Sequence, residues 1–175
     1  GVDGPPAMGA ATTRGKSMAK VCVMFGFFRR KRPPKLEAEW LVVGLGNPGA
    51  KYAATRHNVG YMALDELADQ LEPVPGIKAH AQVRDGVAYA RSTTYMNTTG
   101  EAVGPLAQAL GIAPERIIVV HDELDLPAGK VRVKLGGNEN GHNGLKSITE
   151  HLGTRDYLRV RMGIGRPPKG VAVPD

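Results

Sequence analysis

The sequence predicts a single α/β domain with a mixed, mostly parallel sheet flanked by helices, for three reasons. Short apolar segments typical of strands alternate along the chain with segments of helical periodicity, as expected of a sheet covered by helices. The strongest strand pattern, Ile117–Val120, has four consecutive β-branched residues, which is typical of a strand buried on both faces. The chain has 175 residues, 42% apolar and 23% charged, which is enough for one globular core.

The first elements are a strand and a helix. Trp40–Val43 is a short apolar run closed by glycine, which predicts a buried strand. Apolar residues then recur at helical spacing over 59–71, and Asn58 is a favourable N-cap for that helix. Pro73 follows and is expected to end it.

The middle of the chain predicts a weaker strand and a second helix. Val87–Arg91 has a modest strand pattern. A helix is expected over 98–110, capped by a threonine and stopped by Gly111. Pro105 should weaken or kink this helix, because proline lacks the N–H that an inner helical turn uses.

The last third predicts two strands, each with one apolar and one cationic face. Apolar and cationic residues alternate over 131–135 and again over 158–164, and alternate residues of a strand point to opposite faces. A glycine-rich loop, 136–144, and a short helix over 145–152 separate these two strands. Strands and helices therefore interleave throughout the domain.

Residues 1–40 are expected to lie outside the fold, as a disordered leader or a wrongly assigned start. They carry eight basic and three acidic residues, so an organelle transit peptide is an alternative. The catalytic domain is then expected over 41–175. From Lys130 onward there are nine basic and four acidic residues, a second cationic region that favours an acidic partner.

Composition excludes several classes of protein. Cys22 is the one cysteine, which excludes a disulfide scaffold, a cysteine-rich zinc site and an iron–sulfur cluster. The longest apolar run, Val21–Phe28, has eight residues. A membrane-spanning helix needs about 20, so we expect no membrane association.

The segment Gly44–Gly49 fits the G-x-G-x-x-G pattern of dinucleotide-binding folds, and Asp65 lies where such folds carry a ribose-binding acid. In those folds the glycine turn opens directly into a helix. Here Pro48 removes an N–H from the turn, and the helix begins only near Asn58. A dinucleotide-dependent oxidoreductase is therefore a weak alternative.

Polar clusters follow the predicted strands, where open α/β sheets bind ligands. They combine histidine and aspartate with asparagines, and Ser92 and Ser147 lie in no nucleophile motif. Histidine beside a carboxylate can activate water, and neutral amides can stabilise an oxyanion. The set predicts direct hydrolysis of an ester or amide. A metal site at His121 and the acid run Asp122, Glu123 and Asp125 is an alternative. However, only these four candidate ligands lie close together, and two strand neighbours among them point to opposite faces.

The domain resembles the bacterial-type peptidyl-tRNA hydrolases. Five segments carry the resemblance, in the family's order and over nearly all of 41–168: VVGLGNPGAKYAATRHNVGYMALDELA (42–68), YMNTTGEAV (95–103), IIVVHDELDLPAGKVRVKLGG (117–137), GHNGLKSI (141–148) and LRVRMGIGRP (158–167). The resemblance implies hydrolysis of the ester between a peptide and the tRNA 3′ end, on peptidyl-tRNA as the partner, without metal or organic cofactor. It also implies a monomer in the cytoplasm.

The resemblance also implies a role for individual residues. His57 is the expected general base, Asp122 its orienting partner, and Asn47 a donor to the transition state. The expected substrate contacts are Tyr52, Tyr95, Met96, Asn97, His142 and Asn143. Lys134 and Arg161 are the expected clamp on the tRNA phosphates.

Two expectations set this chain apart from the family. The family normally continues through a C-terminal helix, but this sequence stops at Asp175, so we expect either that the sequence is truncated or that the domain lacks this helix. The alternative function is that of a non-catalytic RNA-binding relative of the same fold, of the kind that acts in organelle RNA splicing. Retention of His57, Asp122 and the asparagines favours the hydrolase.

Overall fold

The computed structural model describes residues 38–167; the leader up to residue 37 and the segment after 167 lie outside the described residues. Seven strands form one sheet. The strands are β1 (Trp40–Gly44), β2 (Glu72–Pro73), β3 (Ala79–Arg84), β4 (Val87–Ser92), β5 (Ile117–Glu123), β6 (Val131–Leu135) and β7 (Leu158–Gly163). The α-helices are α1 (Val59–Leu67), α2 (Gly100–Leu110) and α3 (Asn143–Leu152).

The sheet has a parallel centre and antiparallel edges. Its strand order is β2-β3-β4-β1-β5-β7-β6. The pairs β4 with β1, β1 with β5 and β5 with β7 are parallel. The outer pairs, β2 with β3, β3 with β4 and β6 with β7, are antiparallel. The prediction of a single α/β domain with a mixed sheet is confirmed, and β5 is an inner strand between β1 and β7, as its apolar pattern indicates.

The helices cover both faces of the sheet. The larger core lies between the sheet and helices α2 and α3, where Leu106, Ile117 and Ile148 are almost fully buried. On the other face, Leu64 of α1 packs against Val42 and Val120 of the two central strands. Full burial of such a side chain contributes roughly 1.5–3 kcal/mol, so these contacts hold α1 firmly beside the ends of β1 and β5.

Glycines at the end of β1 and in α1 allow this helix to approach the sheet closely. A Cβ atom on Gly60 would lie 2.5 Å from the carbonyl oxygens of Leu45 and Val120, and one on Gly44 would clash with the Gly60 carbonyl. The helix begins at Val59 and not at the glycine turn. Gly44 therefore serves strand–helix packing, whereas a Cβ atom on Gly49 would meet nothing within 4 Å. The late start of the helix supports the argument against a dinucleotide site.

Several boundaries differ from the sequence prediction. Helix α1 ends at Leu67 rather than near residue 71, and the sequence missed strand β3. Strand β3 turns into β4 through Asp85 and Gly86, both with positive φ, a two-residue hairpin turn that matches the strand twist. Pro105 does not break helix α2. Strand β6 is exposed on its apolar side as well as its cationic side.

Candidate active site

A cleft of about 700 Å³ opens beyond the carboxyl ends of the parallel strands. This is the edge where ligands bind in open α/β sheets. Every residue that the sequence predicts for catalysis or substrate contact lines it. These residues are Asn47, Tyr52, His57, Tyr95, Met96, Asn97, Asp122, His142 and Asn143.

Asp122 connects two histidines at the bottom of the cleft. Its Oδ2 atom lies 2.7 Å from His57 Nδ1, and its Oδ1 atom lies 2.7 Å from His142 Nε2. Asp122 comes from the end of β5, whereas His57 comes from the single turn before α1 and His142 from the loop before α3. Three elements distant in sequence thus place their side chains around one carboxylate.

The N-terminus of helix α3 determines the tautomer of His142. Its Nδ1 atom accepts hydrogen bonds from the backbone N–H groups of Gly144 and Leu145, at 3.1 and 3.2 Å. A nitrogen that accepts carries no proton, so the proton of this neutral ring is on Nε2 and is donated to Asp122. His142 is therefore both the cap of α3 and a hydrogen-bond donor to Asp122.

Asp122 remains ionised in this environment. Burial opposes its ionisation, but hydrogen bonds from His142 and His57 outweigh burial and hold the pKa of Asp122 well below its ordinary value. The adjacent His121 behaves in the opposite way. Burial lowers the pKa of His121 from 6.5 to about 4, so this ring is neutral near pH 7.

Asn47 lines the same cleft as these histidines, in the loop after β1, with 8% of its surface exposed. Its Oδ1 atom accepts a 2.6 Å hydrogen bond from the backbone N–H of Met96. Because the oxygen is occupied, the Nδ2 amide group is the part of the side chain that can donate to a ligand. Met96 itself lies in the short turn that precedes α2 and also carries Asn97.

The family model described as peptidyl-tRNA hydrolase matches residues 41–174. The chain belongs to the peptidyl-tRNA hydrolase family. The match spans the whole described domain apart from its first residues, and it confirms the family that the sequence motifs indicate.

Individual relatives in the peptidyl-tRNA hydrolase family are similar over most of the chain. The peptidyl-tRNA hydrolase 2 of Corynebacterium glutamicum is 67% identical over 150 residues, covering 82% of this chain and 74% of the relative. That of Corynebacterium jeikeium is 54% identical over 178 residues, covering 97% and 72%. A crystal structure of the peptidyl-tRNA hydrolase from Acinetobacter baumannii has a TM-score of 0.70 at 39% identity, covering 78% and 74%.

The two cations predicted to bind tRNA phosphates lie outside the residues that line the cleft. Lys134 is exposed on β6, and its ammonium group lies against Gly137 of the glycine-rich loop, whose later residues Asn140 and Gly141 line the cleft. Arg161 is less accessible, since 21% of its side chain is exposed and its Nε atom donates to Glu123 at 3.2 Å.

Sequence reasoning missed three polar residues that line the cleft, Glu123, Asn140 and Arg166. Arg166 lines the cleft and donates to Asp125 at 2.7 Å; its signal was a basic residue directly after the last predicted strand. Asn58, interpreted from sequence as a helix cap, makes no capping hydrogen bond through its side chain and binds the backbone of Asn47 instead.

A metal site has a partial structural basis. Single ligand atoms of His121, Asp122 and His142 lie within 4.8 Å of one another, so strand alternation does not keep these donors apart. However, His142 and Asp122 already share a hydrogen bond, which a metal ion would have to displace. A metal-free site therefore stays a prediction.

Among the described residues, no helix combines the length and apolar character that crossing a membrane requires.

Proposed function

We propose that this chain hydrolyses the ester bond between peptide and tRNA in peptidyl-tRNA, with a water molecule activated by His57 as the nucleophile. The observation that carries the proposal is the hydrogen bond between His57 and Asp122 inside the cleft of a member of this family. The described residues that line this cleft include no serine, threonine or cysteine. That composition favours direct attack by water over a covalent intermediate.

In the proposed reaction, Asp122 holds His57 by Nδ1, so that Nε2 is the nitrogen that receives a proton. As Nε2 takes a proton from water, the water oxygen attacks the ester carbonyl carbon. When the bond between that carbon and the ribose oxygen breaks, the His57 imidazolium returns the proton to the ribose oxygen. The ionised Asp122 stabilises the imidazolium between the two steps.

Neutral amides complete the proposed site. The Nδ2 group of Asn47 is the donor to the carbonyl oxygen as negative charge develops there, because Met96 holds its Oδ1. The exposed amides of Asn97 and Asn143 bind the peptide main chain, and Tyr52, Tyr95, Met96 and His142 are the remaining contacts. Neutral donors suit a substrate whose peptide varies, because they bind main-chain groups common to all peptides.

The two cations outside the cleft, Lys134 and Arg161, are the proposed contacts to tRNA phosphates, which carry no sequence information. Lys134 is the better placed of the two, because Arg161 is already paired with Glu123. We also propose that the enzyme acts as a monomer in the cytoplasm.

Replacing Lys134 by glutamine should weaken tRNA binding and reduce its salt dependence by the amount expected for the loss of about one phosphate contact. The slope of log K against log salt should fall by about 0.7–0.9, while kcat at saturating substrate stays unchanged. Titration of tRNA binding at several salt concentrations measures this slope. Lys78→Gln is the matched control, because Lys78 lies at the opposite edge of the sheet. An unchanged slope in Lys134→Gln would remove Lys134 from the proposed tRNA surface.

The proposed function is tested by a hydrolysis assay on an N-blocked aminoacyl-tRNA, with the unblocked aminoacyl-tRNA as the control substrate. Selective release of the blocked amino acid supports the hydrolase. Binding of tRNA without release would refute the proposed reaction and favour the non-catalytic RNA-binding relative.

A further inference from the structure

Asn58 is a buried amide that holds the backbone of a residue in the active site. It is 2% exposed and precedes helix α1, yet its side chain makes no hydrogen bond to that helix. Its Oδ1 atom accepts from the Asn47 N–H at 2.9 Å, and its Nδ2 atom donates to the Asn47 carbonyl at 2.9 Å. One side chain thus binds both backbone groups of Asn47.

This arrangement fixes Asn47 at three points. Asn58 holds its backbone on both sides, and the Met96 N–H holds its side-chain oxygen. The chain makes room for Asn58 with a glycine, because a Cβ atom on Gly46 would lie 2.9 Å from Asn58 Oδ1. The same atom would also lie 2.7 Å from the ring of Tyr61, so a larger residue at this position would displace the amide.

We propose that Asn58 is a positioning residue, which aims the Nδ2 group of Asn47 at the reacting carbonyl. Because Asn58 is the next residue after His57, it also ties the position of Asn47 to that of His57. The inference rests on the proposed function. Asn58 directly follows His57 in one short turn, so a single backbone segment carries the base and the group that holds the donor Asn47. Donors stabilise a developing charge most when their orientation is fixed before the reaction. Asn58 supplies that orientation without contacting the substrate: the cleft is lined by Asn47 and His57 but not by Asn58.

The test is a double-mutant cycle of Asn58→Ala and Asn47→Ala on the hydrolysis of N-blocked aminoacyl-tRNA. Removal of one oxyanion donor costs on the order of 10²- to 10³-fold in kcat, so its misorientation in Asn58→Ala should cost about 10- to 100-fold. KM should change little. In the Asn47→Ala background, Asn58→Ala should lower kcat by less than about 3-fold, because no amide is left at position 47 to orient.

A matched control separates positioning from general damage to the fold. Tyr61→Phe removes another buried hydrogen bond of helix α1, from the Tyr61 hydroxyl to the Ser92 carbonyl at 2.6 Å, and should keep kcat within about 2-fold. If Asn58→Ala does not fold, Asn58→Asp replaces it in the cycle, because it keeps an oxygen for the Asn47 N–H. The loss of kcat in Asn58→Asp should likewise vanish in the Asn47→Ala background.

Each outcome decides between the two proposals. An unchanged kcat in Asn58→Ala, or an equal loss in both backgrounds, overturns the positioning role while the proposed hydrolysis stands. A wild-type chain that releases no blocked amino acid overturns the proposed function and the positioning role with it.

Discussion

Replacing His57 by alanine is expected to lower kcat for peptidyl-tRNA by about 10²- to 10⁴-fold, the range that a positioned general base contributes. The structure gives the reason. His57 Nδ1 is bound to Asp122 at 2.7 Å, so the ring is oriented with Nε2 as its proton acceptor. Without the ring, the attacking water has no base. Single-turnover hydrolysis of an N-blocked aminoacyl-tRNA measures the chemical step directly.

The affinity of the His57→Ala protein for tRNA should stay nearly unchanged, because the proposed phosphate contacts lie on β6 and β7 and not in the cleft. His80→Ala is the matched control, since His80 lies in β3, away from the cleft, and its loss should spare kcat. Equal losses of kcat and tRNA affinity in His57→Ala would contradict a chemical role for this residue.

Replacing Asp122 by asparagine is the second large effect, with kcat expected to fall by about 10²- to 10⁴-fold. The cause is the fixed tautomer of His142. Because His142 Nε2 always donates, the asparagine oxygen must face His142 and the asparagine NH₂ must face His57. His57 Nδ1 then becomes an acceptor, its proton moves to Nε2, and Nε2 no longer accepts a proton from water.

The fixed tautomer has a second consequence that can be measured. Adding His142→Asn to Asp122→Asn keeps a good N-cap for α3 but removes the imidazole donor. The amide at position 122 can then rotate its oxygen toward His57, and about 10-fold of the lost kcat should return. A double variant that folds but is no more active than Asp122→Asn alone would contradict the role assigned to His142. Thermal unfolding of each variant provides the control for stability.

The sequence alone determined the fold class, the family and nine of the residues that line the cleft. The β-branched run of β5 predicted a central buried strand, and Asp122 follows that run at the carboxyl end of the sheet. Because parallel strands present their carboxyl ends at one edge, polar clusters that are far apart in sequence were expected to meet there. Such local patterns depend only on residues that are close in sequence, so they can be predicted from the sequence alone.

The tertiary structure alone decided which atoms these side chains bind. The sequence indicated Asn58 as a helix cap, but its amide binds Asn47, 11 residues earlier. His142 lines the cleft as expected, but only the structure shows that both of its ring nitrogens bind protein groups, one of them Asp122, 20 residues earlier. Arg161 was expected to meet phosphates, and it pairs with Glu123. A polar side chain has several possible partners of similar energy, and only the packed sheet determines which of them lies within hydrogen-bonding distance.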